Sequence, residues 1–176
     1  MNIREAGGTD AENLVALIKQ VENESEFMLM EPDERQVTPE QLRNRITSSK
    51  KSGNSTLFVA EVENRLIGYM FAMGGTARRN QHAVYIVIGI LKDYRGKGVG
   101  TLLFKNLEEW ASERNIRRLE LTAVTRNIAG VALYQKMGFK VEGTKKDSLL
   151  IAGEYVDEYY MAKILGEGNG KCKSDY

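Results

Sequence analysis

Three alternating glycines, Gly96, Gly98 and Gly100, with the cations Arg95 and Lys97 set among them, are the residues of this chain best suited to hold an anion. Glycine lacks a Cβ, so the backbone there turns sharply and brings its N–H groups close to a bound group. An unbroken apolar run, Val84–Leu91, and a charged turn at Lys92–Tyr94 precede the glycines, and an amphipathic stretch to Trp110 follows. The order reads as strand, glycine loop and helix. The first N–H groups of such a helix lack intrahelical partners and carry the positive end of its dipole, so a phosphate is the natural guest. Both familiar nucleotide patterns fail. The spacing is not G-x-x-x-x-G-K-[ST], and the third glycine falls one residue too early for G-x-G-x-x-G. Glu120, about twenty residues beyond Gly100, keeps a dinucleotide oxidoreductase open as a reading, and a turn that only packs helix on strand is the plain alternative.

A second constellation lies at Asn127–Phe139, NIAGVALYQKMGF. Asn127 and Tyr134 are about two helical turns apart, so they fall on nearly one face. A half-buried core tyrosine is the ordinary reading of Tyr134 taken alone.

Together the two constellations resemble the GNAT N-acetyltransferase superfamily. The loop Arg95-Gly96-Lys97-Gly98-Val99-Gly100 fits that family's [QR]-x-x-G-x-[GA] acetyl-CoA signature, and Asn127 with Ala132–Phe139 follows at the family's spacing. Residues 84–140 carry the specific match. The resemblance implies an α/β (α+β) fold: a mixed, mostly antiparallel sheet, splayed between two central parallel strands and flanked by helices. It implies acetyl-CoA as co-substrate, with the pyrophosphate on Gly96 through Thr101 and the pantetheine arm along Ile88, Gly89 and Ile90. Asn127 matches a coenzyme contact, and Tyr134 matches the proton donor to the departing thiolate. Relatives acting on protein N-termini often carry a glutamate five residues before the asparagine, where this chain has Thr122.

The chemistry needs a proton acceptor, because an alkylammonium of pKa about 10.4 attacks only after losing its proton. Glu120, on the same strand face as Thr122, is one candidate base; Glu26 and Asp157 are others, at the acceptor side, and each also reads as a solvated charge. The apolar cluster Phe27–Met30 either borders the acceptor or covers the core, and core is the preferred reading. His82 has no cysteine or second histidine near it, so no metal is expected. The leading expectation is direct acetyl transfer to a primary amine of a small molecule or peptide in a ternary complex. A coenzyme-binding sensor without turnover is the alternative.

These residues need elements to position them. Asn2–Ala6 reads as a strand, and Thr9 or Asp10 as the cap of a helix with Leu14, Leu17, Ile18 and Val21 on its apolar face. Residues 23–39 read as an irregular loop or short helix. Thr38-Pro39-Glu40-Gln41 opens a second helix, to about Ser49. Leu57–Val62 and Leu66–Met73 form a hairpin about Glu63-Asn64-Arg65. Beyond the loop and its helix, Arg118–Val124 is a strand, and a strand–helix–strand unit favours parallel pairing. Asn127 caps a helix over Ile128–Met137 that Gly138 ends; Phe139–Gly143 and Tyr155–Leu165 complete the strands.

At 176 residues the chain suits one domain, expected over 1–165, with 166–176 a disordered tail. A net charge of +1 gives no field for nucleic acid or an acidic membrane. The single cysteine, Cys172, forms no internal disulfide. Residues 1–25 do not resemble a secretory leader and no stretch is long enough to span a membrane, so a cytoplasmic protein is expected, with a homodimer as the candidate assembly.

Overall fold

The computed structural model describes residues 1–166. Seven strands pair into one sheet: β1 Asn2–Glu5, β2 Thr56–Val62, β3 Arg65–Gly74, β4 Ala83–Ile90, β5 Arg118–Val124, β6 Lys140–Ile151 and β7 Glu154–Ile164. Their order is β1-β2-β3-β4-β5-β7-β6. Every neighbouring pair is antiparallel except β4 with β5. That parallel ladder is short, pairing Ala83 with Arg118, Val84 with Leu119 and Tyr85 with Glu120, after which the strands part. On its other side β4 stays paired with β3 as far as Ile90 opposite Gly68. From Ile86 onward β4 therefore has a ladder on one edge only. This is the mixed, splayed sheet expected from the sequence.

Four helices cover it: α1 Ala11–Asn23, α2 Pro39–Ser52, α3 Val99–Glu113 and α4 Ile128–Lys136. The apolar stripe of α1 (Leu14, Leu17, Ile18, Val21) is buried as its helical spacing requires. Ile18 of α1 and Leu42 of α2 meet Tyr69, Phe71 and Val87 on one face of the sheet. The buried stripe of α3, from Val99 through Leu103, Phe104 and Leu107 to Trp110, packs on the other.

Thr38 accepts a hydrogen bond from the Gln41 N–H while the Gln41 side chain accepts from the Thr38 N–H, with Pro39 at the first helical position, so α2 starts as expected. It runs three residues further than expected, to Ser52, and Gly53 ends it at φ 75°. Asp10 does not cap α1 with its side chain. A 3-10 turn over Gly8–Asp10 leads into the helix, and the Asp10 carboxylate instead accepts from Arg4 at 2.7 and 2.8 Å and from the Gly7 N–H. Phe139 is not in a strand. It is the residue after Gly138 in the loop that closes α4, where the Phe139 N–H donates to Tyr134 O and the Gly138 N–H to Gln135 O. The following strand is longer than its polar sequence implies, reaching Ile151, and β6 turns into β7 through Ala152 and Gly153, at φ 50° and 80°. The tail expected to be disordered lies, from residue 167 on, outside the described residues.

Candidate active site

The glycine loop presents an open anion cradle. Gly96 and Gly98 sit at φ 73° and 83°, where a side chain is strained, and nothing lies within 4 Å of where a Cβ would stand. Gly98 occupies the cap position of α3 and offers no side-chain oxygen to its N–H groups, and the first turn contains no acid. The opening N–H groups, from Val99 to Thr101, are thus left for a ligand. The Val99 side chain is core, 1% exposed, so only its backbone faces the loop. Gly100 serves packing instead, since a Cβ there would lie 2.6 Å from Leu133 Cδ2 and its absence lets α3 close on α4. Lys97 lies with Nζ 5.5 Å from the centre of the Tyr94 ring. Arg95 is a brace. Its Nε donates to Ile90 O at 3.0 Å and its Nη1 to Glu24 O. The Glu24 carboxylate accepts from the Lys92 N–H at 2.6 Å, a bond that holds its pKa below the usual carboxylate range and ties the end of α1 to the loop.

Where β4 and β5 part, Ile88 and Ile90 are half-buried on the α3 face, while Gly89 lies beneath Tyr69, whose ring a Cβ would approach to 2.5 Å. The Ile90 carbonyl is already held by Arg95 and Gly89, opposite Tyr69, turns its backbone groups into the β3 ladder, which leaves Ile88 as the free part of the expected rail. Asn127 caps α4, its Oδ1 accepting from the Gly130 N–H at 3.0 Å. Tyr134, 9% exposed, is wedged edge-on against Phe104 at 5.8 Å and beside Phe139. Its hydroxyl makes no hydrogen bond to another described residue, yet every fully buried side-chain oxygen among the described residues has a partner, so this hydroxyl reaches open space. Burial pushes its pKa up to about 12, with the Tyr85 phenol adding to the effect. Tyr85 and Thr122, missed as candidates in the sequence, join hydroxyls at 2.8 Å across the widening gap. Only the register of β4 against β5 brings them together.

The three candidate bases do not converge. Glu120 is bound by Arg118 at 2.6 Å, and Arg118 also holds Glu142 of β6. Asp157 is bound by Lys146 at 2.7 Å and accepts from the Asp147 N–H, contacts that lower its pKa. Glu26 is exposed and lines a cleft of about 840 Å³ between the α1–α2 loop and the β6–β7 hairpin. Met28, Leu29 and Met30 line the same cleft, with Leu29 71% exposed, while Met28 also packs against the core, so the cluster expected to cover the core does so in part and borders a cavity as well. That cleft is large, but neither Tyr134 nor the glycine loop lines it. The His82 carbonyl accepts from the Arg117 and Arg118 N–H groups and anchors the start of β5. No group of three metal-ligating side chains occurs among the described residues, and no described helix is long and apolar enough to cross a membrane.

A splayed mixed sheet with a glycine-opened helix at the gap defines an acetyltransferase-like fold. The family model described as acetyltransferase (GNAT) family matches residues 18–139, and the chain belongs to that family. It is 31% identical over 107 residues to the L-amino acid N-acetyltransferase AaaT of Escherichia coli, covering 60% of this chain and 66% of that one. For the first curated relatives the matched part spans less than two thirds of their length. Among solved structures, a GNAT-family acetyltransferase from Streptococcus pneumoniae superposes at TM-score 0.90 with 34% identity, over 94% of this chain and 99% of that one. A phosphinothricin acetyltransferase from Sinorhizobium meliloti, solved with acetyl-CoA, shares the fold at TM-score 0.85 and 21% identity, over 99% and 93% of the two chains.

Proposed function

We propose that the chain transfers an acetyl group from acetyl-CoA directly to the primary amine of a small molecule. The observation that carries this reading is a one-sided β4 running to an uncapped α3 start, together with a tyrosine, Tyr134, whose hydroxyl has no partner among the described residues and which feels the phenol of Tyr85 where β4 leaves β5. Acetyl-CoA fits these groups: the open cradle of Gly96, Gly98 and the α3 N–H groups suits its pyrophosphate, and the free edge of β4 at Ile88 suits an amide-bearing arm. When bound it supplies the thioester that an amine attacks.

The chain's own residues then have defined roles. Asn127 keeps its side-chain N–H groups available toward the coenzyme while its oxygen caps α4. Tyr134 holds its proton and donates a hydrogen bond to the sulfur as charge gathers there. Full proton transfer is disfavoured, since a phenol near 12 faces a thiol near 8.5, a gap of about 5 kcal/mol. With Glu120 and Asp157 held in ion pairs, no carboxylate is assigned as base. The amine arrives neutral, and the Tyr85–Thr122 hydroxyl pair is the polar group that receives it. The name of a relative acting on L-amino acids supports a small acceptor.

A thermal-shift panel of acetyl-CoA, CoA, NAD and ATP, followed by CoA release with a set of amines, tests this. Stabilisation by the first two, worth about 2.7 kcal/mol at a hundredfold excess over Kd, is expected together with amine-dependent CoA release. Stabilisation by NAD alone sinks the reading, and acetyl-CoA binding with no release from any amine leaves the sensor.

A further inference from the structure

Neither the glycine loop nor Tyr134 selects the acceptor, but a separate pocket beside β4 has groups that do. It measures about 110 Å³, and its walls include Arg35, Arg45, Tyr69, Phe71 and Val87. Val87 lies two residues past Tyr85, the last β4 residue paired with β5, and so shares its face just where the strands part. The pocket thus opens beside the proposed acetyl site, on the α1–α2 side of the sheet.

Its charges do not balance. Arg35 is fixed by an ion pair at 2.6 Å with Glu22, a carboxylate only 1% exposed. Arg45 has no such partner among the described residues. Its guanidinium stacks 4.4 Å from the centre of the Phe71 ring, and its Nη2 points at the neutral Met73 sulfur at 2.8 Å. The residue is exposed overall, but desolvation of its guanidinium, with Arg35 nearby, lowers its pKa, which is the mark of a cation not offset by an anion. Tyr69 adds a hydroxyl that makes no hydrogen bond to another described residue, and its ring fills the space left by Gly89. Two guanidiniums against one carboxylate leave a single positive charge in a space that admits a small planar group. A planar monoanion suits both the charge and the forked donors of arginine.

We propose that this pocket binds the carboxylate of the acceptor, with Arg45 as its principal contact and Arg35 and Tyr69 beside it, so that the substrate is a small amine carrying a carboxylate. The proposal rests on the acetyl-transfer reading and deepens it. An acceptor anchored here directs its amino group along Val87 toward Tyr85 and the gap between the strands.

The probes are L-amino acids and their carboxamides, assayed by CoA release with the full chain. At least one amino acid is expected to exceed its amide in kcat/KM by about tenfold or more, and Arg45→Gln to bring that ratio close to one, acting mainly on KM for the amino acid. Arg45→Lys is expected to keep part of the preference. A ratio near one in the unmodified chain, or one that survives Arg45→Gln, overturns the proposal, as does turnover confined to amines without a carboxylate. Thermal stabilisation by the amino acids in the presence of CoA, lost in Arg45→Gln, gives a readout independent of turnover, and its absence also counts against the site. Failure to release CoA with any amine, while that stabilisation stands, condemns the acetyl-transfer reading and not the pocket.

Discussion

Tyr134 is held by its ring and free at its oxygen, and that division determines what a substitution does. Phe104 and Phe139 pack its edges, whereas the hydroxyl makes no bond within the described residues. Tyr134→Phe is therefore expected to leave folding and the KM for acetyl-CoA within about twofold, and to lower kcat by about 10²-fold, measured by CoA release. Unchanged turnover removes the role. With its pKa pushed up to about 12, this phenol stays protonated through the working range. The kcat/KM for an amine is then expected to rise about tenfold per pH unit up to the acceptor's own pKa, with no descending limb from Tyr134 below about pH 11. A fall beginning near pH 8 that vanishes in Tyr134→Phe contradicts this. Helix geometry puts Tyr134 and Asn127 on nearly one face, but it is the family resemblance that singles them out, since Tyr134 taken alone reads as core. Tyr85, Thr122 and Arg45 were not legible in the sequence, since strand register and the crossing of α2 over Phe71 bring them into place from positions far apart in the chain.

The glycines between β4 and α3 look equivalent in sequence, but the elements use them differently. Gly98 supplies a left-handed cap next to open space, while Gly100 supplies clearance between two helices. Gly98→Ala is expected to strain the turn by about 1–2 kcal/mol and to raise the KM for acetyl-CoA, because the same backbone forms the cradle. Gly100→Ala is expected to destabilise by about 1–3 kcal/mol in urea titrations, since its methyl meets a Leu133 methyl. In a Leu133→Ala background that cost should shrink, whereas the Gly98→Ala cost should not. Equal couplings to Leu133 would show the two glycines to be one structural unit. Elements with a strong period, such as α1 and α3, were readable from their apolar stripes. The far half of β6 was not: Lys145, Lys146, Asp147 and Ser148 carry no alternation, and the strand continues there only because β7 pairs on both sides of a break in register between Lys145 and Leu149, where Asp147 turns to φ 46°. Likewise Asp10 has the type of a cap, but Arg4 offers it a charged partner, and the charge-assisted pair prevails over the helix N–H.

At the scale of the whole molecule, ionisable groups that tie the sheet together set a window of stability with different causes at its two ends. On the acid side, Asp10 is held below the ordinary carboxylate range by Arg4 and Glu142 by Arg118, with Glu24 and Asp157 shifted the same way. These pairs join β1 to the turn before α1, and β5 to β6. A carboxylate whose folded pKa is depressed contributes all of its stability above its unfolded value near 4 and loses it as the pH falls through the folded value. The urea midpoint is therefore expected to be flat from about pH 9 down to about pH 5 and to drop below that. Asp10→Asn, at a site 7% exposed, should lower the plateau by about 1–2 kcal/mol and flatten part of the acid slope. On the alkaline side the sign reverses. Burial raises the Tyr134 phenol to about 12 and the Tyr69 phenol higher still, so between about pH 10 and 12 the folded chain keeps protons that the unfolded chain gives up. Stability should fall there by about 1.4 kcal/mol per pH unit for each tyrosine. Tyr134→Phe should remove one of these contributions and leave the acid limb untouched. An alkaline slope unaltered in that variant would mean that the Tyr134 phenol ionises in the folded chain as it does in the unfolded one, and a hydroxyl kept protonated by burial of its ring would no longer be available as the donor to the departing sulfur.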